Sequence, residues 1–117
     1  VTDATIIDPR TLTKAERLEV SRRRAGLTQH EAADLLGWTL DRYKWAERGE
    51  AELQSAWPAP ALGGITSAEE CRLLRRRAGL TIAGLAAVSG LAARWIHHAE
   101  NGNRDPAALL EYWRGAA

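Results

Sequence analysis

Two runs of three arginines, Arg22-Arg23-Arg24 and Arg75-Arg76-Arg77, are the densest chemistry in this chain of 117 residues. Guanidinium groups in such clusters serve as phosphate clamps or as partners in internal ion pairs. Catalytic groupings are harder to assemble. The sequence holds no Ser/His/Asp spacing, paired-carboxylate cleft, glycine-rich phosphate loop or metal-ligand spacing. His97 and His98 are adjacent, so a helix turns them about 100° apart, and no cysteine or third histidine stands near them. His30 reads as a surface residue. Cys71 is the lone cysteine, cannot form an internal disulfide and points to a reducing compartment. The expectation is a protein that is not an enzyme, with no catalytic residue, metal or cofactor.

Hydrophobic residues make up 45% of the chain, enough to bury a core. No apolar run approaches the roughly 20 residues needed to cross a bilayer, and no secretory leader pattern is present. The net charge is only +1, but it is unevenly placed. Residues 10–49 carry +3 and residues 66–104 carry +3, whereas residues 1–9, 50–65 and 105–117 carry −2, −2 and −1. Two basic segments are therefore separated by an acidic stretch that contains proline.

An internal repeat explains that division. Arg22-Arg23-Arg24-Ala25-Gly26-Leu27-Thr28 recurs as Arg75-Arg76-Arg77-Ala78-Gly79-Leu80-Thr81, 53 residues later. At that offset Thr13–Gly49 aligns with Thr66–Gly102 without a gap, and 15 of 37 positions are identical, far above chance. Each copy reads as three short helices. Thr13-Lys14-Ala15-Glu16 and Thr66-Ser67-Ala68-Glu69 have the form of a capping box. Gly26 and Gly79 suit the end of the first helix, and Gly37 and Gly90 the end of the second. Thr28 and Thr81 can cap the second helix. A third follows over 39–48 and 92–101. Pro106 starts a last short helix, 106–114. Strand-like alternation is missing, so the chain reads as all-α.

Between the copies, Glu50 to Ile65 contains Pro58, Pro60, Gly63 and Gly64, which forbid a continuous helix. Residues 51–57 have room for one or two helical turns. The predicted organisation is a first unit over 10–49, a linker over 50–65, and a second unit over 66–114. Trp57 and Trp113 lie outside the repeat and are expected to pack the linker and C-terminal segment against helices, or between the units.

The first copy reads R-x-x-x-G-L-T-Q-x-x-x-A-x-x-x-G-x-T-x-x-x-Y-x-x-x-E-x-G from Arg22 to Gly49, and the second closes with Ile96-His97-His98-Ala99-Glu100-Asn101-Gly102. This resembles the Cro/cI (Xre) helix-turn-helix family, the lambda-repressor-like DNA-binding domains. The resemblance implies two tandem lambda-repressor-like units, a transcriptional regulator of bacterial, phage or mobile-element origin, and double-stranded DNA as partner, with one or two half-sites. It places the protein in the cytoplasm, at the nucleoid, and not in a membrane.

In this family the third helix lies in the major groove. The resemblance thus implies base contacts from Leu40, Asp41, Arg42, Lys44 and Trp45, and from Ala93, Arg94, Trp95, His97 and His98. Arg42 and Arg94 are chemically the best suited, because a guanidinium fits guanine O6 and N7. Asp41 can accept from cytosine N4, pair with Arg42 or repel phosphate. Phosphate contacts are implied for Thr28, Gln29, Thr39, Arg48 and Arg104. Arg22 and Arg75 are instead expected to pair internally with Glu47 and Glu100. Cys71, at the Leu18 position, is expected in the core. Trp38 and Tyr43 are expected to refill volume left by Ala32 and Ala46.

The copies also differ. Ile82 replaces Gln29, and Ala92 replaces Thr39, so the second copy loses two polar groups suited to phosphate. The alternative is that only the first unit binds DNA and the second is a dimerisation or protein-binding module, antitoxin- or antiactivator-like. A flexible 16-residue linker averages roughly 20–24 Å and extends to about 55 Å. Adjacent major grooves are about 34 Å apart, so both units can engage one duplex without being required to.

Overall fold

The computed structural model describes residues 7–49 and 64–116. Among these are a 3-10 turn (Pro9–Thr11), seven α-helices and no strand. The helices are α1 (Lys14–Arg24), α2 (Gln29–Leu36), α3 (Leu40–Arg48), α4 (Ser67–Arg77), α5 (Ile82–Ser89), α6 (Ala93–Glu100) and α7 (Ala107–Ala116). The described chain divides into two compact units. One holds α1–α3, and the other holds α4–α7 together with residues 7–8. The turns considered for 51–57, and Trp57, lie outside the described residues. Among the described residues no helix is long and apolar enough to cross a membrane.

Helix starts follow from side chains that satisfy otherwise unpaired N–H groups. Thr13, Thr28 and Thr66 each accept from the backbone N–H three residues on, and Glu16, Glu31 and Glu69 each return a carboxylate to the threonine N–H. The two bonds of each box close at 2.8–3.1 Å. The bond to Thr28 holds the Glu31 carboxyl below its ordinary value. That contribution is present at neutral pH and fades as pH falls through the lowered value. The second unit caps more sparsely. Thr81 Oγ1 accepts from Gly84 N, but Gly84 has no carboxylate to return, and Ala92 gives α6 no side-chain cap.

The turn from α2 into α3 depends on Gly37, whose φ of +72° is left-handed. There the chain reverses within two residues, and Trp38 N donates back to Ala33 O at 2.9 Å, closing a Schellman-type end. Gly90 ends α5 at φ +77° with a simpler closure: its own N–H donates to Ala86 O at 3.0 Å, and Leu91 N donates to Ser89 Oγ at 3.2 Å.

Each unit buries its own core. In the first, Leu18, Ala32, Ala33, Tyr43 and Ala46 pack together with Trp38 against them. Tyr43 and Trp38 take up the volume that the two alanines leave, with ring centroids 6.4 Å apart. The second core is more apolar: Cys71, Leu85, Ile96 and Ala99 pack with Leu109, Leu110 and Trp113 from α7. Trp113 thus fastens the C-terminal helix, as expected from its place outside the repeat. Asp105 Oδ1 accepts from Ala107 N at the start of α7, beside Pro106. Burial, helped by the nearby carboxylates of Glu70 and Glu100, pushes the Cys71 thiol up to about 12.

One repeat position is used in opposite senses. Arg17 Nη1 donates to Leu12 O at 2.9 Å, holding the segment just before its own helix. Its counterpart, Glu70, accepts from the backbone N–H of Ile7 at 2.7 Å, and both residues are buried. The second unit is therefore completed by residues 63 positions away in the chain.

Two outcomes follow. A Cβ at Gly37 would meet nothing within 4 Å, so Gly37→Ala costs only left-handed strain, about 1–2 kcal/mol. Gly37→Asn costs less, as the urea midpoint of the first unit should register. Iodoacetamide at pH 8 should leave Cys71 unmodified in the native protein and alkylate it in denaturant, as mass spectrometry reads directly.

Candidate nucleic-acid interface

The third helix of each unit is aimed by a half-buried guanidinium. Arg22, in the last turn of α1, donates through Nε to Glu47 Oε2 at 2.7 Å and through Nη1 to Leu27 O at 2.9 Å. Arg75 repeats this with Glu100 Oε2 at 2.8 Å and Leu80 O at 3.0 Å. The expected pairing of Arg22 with Glu47 and Arg75 with Glu100 is thus present in both units. One side chain ties the end of the first helix, the turn into the second and the end of the third. Burial works against the charge on Arg22, but the Glu47 hydrogen bond and charge outweigh it and raise its pKa. Burial, and then the Glu47 carboxylate, hold the Tyr43 hydroxyl well above the ordinary phenol value.

With its end fixed, α3 divides cleanly. Tyr43, Ala46 and Glu47 face inward and are buried. Asp41, Lys44, Trp45 and Arg48 are exposed, and their spacing of three, four and seven residues makes them one outward stripe. Trp45 is 47% exposed despite its size. Leu40 is half-buried, and Arg42 stands on the flank of the stripe, with its guanidinium carbon 4.4 Å from the centre of the Trp38 ring. Thr39 Oγ1 accepts from Arg42 N at 3.2 Å.

The second unit repeats the plan with other residues. Ile96, Ala99 and Glu100 face inward. Arg94, His97 and Asn101 are exposed and His98 is half-buried, again at stripe spacing. Ala93 is exposed. Asn101 Nδ2 lies 3.2 Å from His97 Nε2 and donates to it when that nitrogen is unprotonated. Asn101 was not anticipated, although its seven-residue spacing from Arg94 was a readable sign. Trp95 is half-buried and packs on the second core, whereas the Trp45 indole is exposed.

The residues suggested for phosphate fall into two groups. Thr28, Thr39, Arg48 and Arg104 are exposed. Gln29 is half-buried, and its amide donates to Glu47 Oε1 at 3.0 Å. An amide nitrogen carries two protons, so one remains for an anion. Ile82 has none to offer and packs on the second core instead. There the Glu100 carboxylate is held more fully by arginine: Arg75 Nη2 reaches Oε1 at 2.9 Å, with Arg72 Nη1 at 3.9 Å. Among the described residues no group of three His, Cys, Asp or Glu is placed to hold a metal ion.

A repeated three-helix unit, with a tight turn before an outward third helix, defines the geometry, and comparison with known families agrees. A profile described as a helix-turn-helix domain matches residues 15–62 and again residues 68–112. The chain belongs to the helix-turn-helix domain family. No curated protein and no solved structure matches it. The first helix-turn-helix match continues past Gly49 to residue 62, into residues outside those described.

Because Arg22 and Glu47 are only 12% and 7% exposed, removing one partner strands the other. Arg22→Ala should destabilise the first helix-turn-helix unit by about 3 kcal/mol. Arg22→Lys should recover little, since an ammonium lacks the fork that spans both acceptors. Thermal melting of the variants checks both.

Proposed function

We propose that the chain is a sequence-specific, double-stranded-DNA-binding transcriptional regulator of the Cro/cI (Xre) type, from a bacterium, phage or other mobile element. On this reading α3 and α6 enter major grooves. The observation that carries it is the outward stripe on the third helix of both units, held by the same Arg–Glu pair with its glutamate buried. Arg42 and Arg94 would read guanine through O6 and N7. Asp41, Lys44, Trp45, His97 and His98 would meet neighbouring base edges, with Leu40, Ala93 and the flank of Trp95 contributing apolar contact. Thr28, Gln29, Thr39, Arg48 and Arg104 would fix the register on phosphates. The protein would act by binding rather than catalysis, in the cytoplasm at the nucleoid.

A second reading has specific support. Ile82 and Ala92 remove polar groups from the approach to α6, and Trp95 turns towards its own core. On that reading only the first unit engages DNA, and the second serves dimerisation or a protein partner.

Mobility shifts on sequences selected from random DNA test both. Affinity should fall steeply with salt, with a log–log slope of about −0.9 per neutralised phosphate. Arg48→Ala and Arg104→Ala should each reduce that slope by about one, uniformly across sequences. Arg42→Ala and Arg94→Ala should each weaken the preferred sequence about 10-fold or more and change base preference. Loss on Arg42→Ala with none on Arg94→Ala favours the second reading. Absence of preference for any DNA overturns both.

A further inference from the structure

Trp38 is spoken for on two sides. Its backbone is fixed by the N–H donated to Ala33 O at 2.9 Å, directly after the left-handed Gly37. Its ring is half-buried and leans on the core beside Tyr43, 50° from the plane of that ring. The guanidinium of Arg42 lies over it at 4.4 Å, close enough for a cation–π attraction. A free arginine has many rotamers to lose, and ordering such a side chain on binding lowers affinity. A guanidinium resting on an aromatic face has lost part of that freedom before any ligand arrives. Its edges, where the donors lie, remain available, because stacking uses only the face.

We propose that Trp38 is a positioning residue for Arg42: it holds the guanidinium in place at the flank of the α3 stripe, so that Arg42 reads a base rather than merely adding charge. The inference rests on the DNA-reading role proposed above. The second unit supplies an internal contrast. Leu91 and Trp95 occupy the positions of Trp38 and Arg42, and both pack on the second core, so no stacked cation exists there. The arginine of that unit, Arg94, stands one position earlier and is exposed.

The test is selection from random duplexes with the full chain and the variants Trp38→Leu, Trp38→Phe, Arg42→Ala, Arg94→Ala and Trp38→Leu/Arg42→Ala. Helicity of each is followed by circular dichroism. Trp38→Leu is expected to erase base preference at the base pair that Arg42→Ala erases, and at no other, with affinity reduced about 3-fold. Trp38→Phe should retain part of that preference, whether or not Trp38→Leu folds. In the Arg42→Ala background Trp38→Leu should have no further effect. Arg94→Ala should act at a different base pair. A uniform loss across all positions, or the same loss with and without Arg42, overturns the positioning role while leaving DNA reading intact. Failure of the unaltered protein to enrich any sequence overturns the DNA reading and this inference together.

Discussion

A half-buried arginine that holds both oxygens of a glutamate and one backbone carbonyl is the constraint on which each unit turns. Arg22 and Arg75 sit in the last turn of a first helix, 25 residues before the glutamate each one holds. Desolvating such a pair costs several kcal/mol per ion, and the pair repays this only with good geometry and additional hydrogen bonds. The third bond, to Leu27 O or Leu80 O, supplies that addition. It also fixes where the second helix departs, because that carbonyl lies in the turn leading into it. Glu47 and Glu100 close the third helix on the same guanidinium. The orientation of the outward stripe is therefore set from inside the unit.

Around that shared joint the two units are stabilised in different currencies of interaction. The first relies on polar closure: a full capping box at Thr28 and Glu31, a cap at Thr39, and Gln29 on Glu47. A lost cap typically costs about 1 kcal/mol, and the second unit lacks the Glu31 and Thr39 equivalents. It compensates with apolar volume. Leu85 is fully buried where the first unit has Ala32, and α7 contributes Leu109, Leu110 and Trp113. Of the polar groups missing from the second unit, Gln29 is replaced by Ile82, which packs on the core, whereas Ala92, in place of Thr39, is exposed and Gly84, in place of Glu31, has no side chain.

Much of this was legible in the sequence because the signals were local or repeated. The Thr-x-x-Glu boxes and the glycines at helix ends act over three to five residues. The 53-residue offset let each weak sign be checked against its copy. The Arg–Glu pairing came from family resemblance and not from spacing. What escaped was long-range or depended on side-chain direction. Nothing in residues 7–8 announces that Ile7 is buried and donates its N–H to Glu70, 63 residues on. A backbone N–H carries no sequence signature, and the same repeat position holds Arg17 in the other unit. The packing of Trp95 was not legible for a different reason. It lies at the margin between inward and outward faces, where a large ring can turn either way, and with Leu91 in place of Trp38 the second core had room to take it.

The pattern of identity on the third helices carries the synthesis one step further. Of the three inward positions, Ala46 matches Ala99 and Glu47 matches Glu100, whereas Tyr43 is replaced by Ile96; the closing glycines, Gly49 and Gly102, also match. The outward positions pair Asp41 with Arg94, Lys44 with His97, Trp45 with His98 and Arg48 with Asn101, and none is identical. The first-turn arginine has moved from the flank in one unit to the centre of the stripe in the other, a rotation of about 100°. A symmetric homodimer cannot separate its two outward faces in this way, since every substitution appears twice. Joining two copies in one chain lifts that restraint. The joint that fixes the third helix stays alike, with its arginine, its glutamate and its closing glycine, while the core packed around it and the face turned outward both differ between the copies.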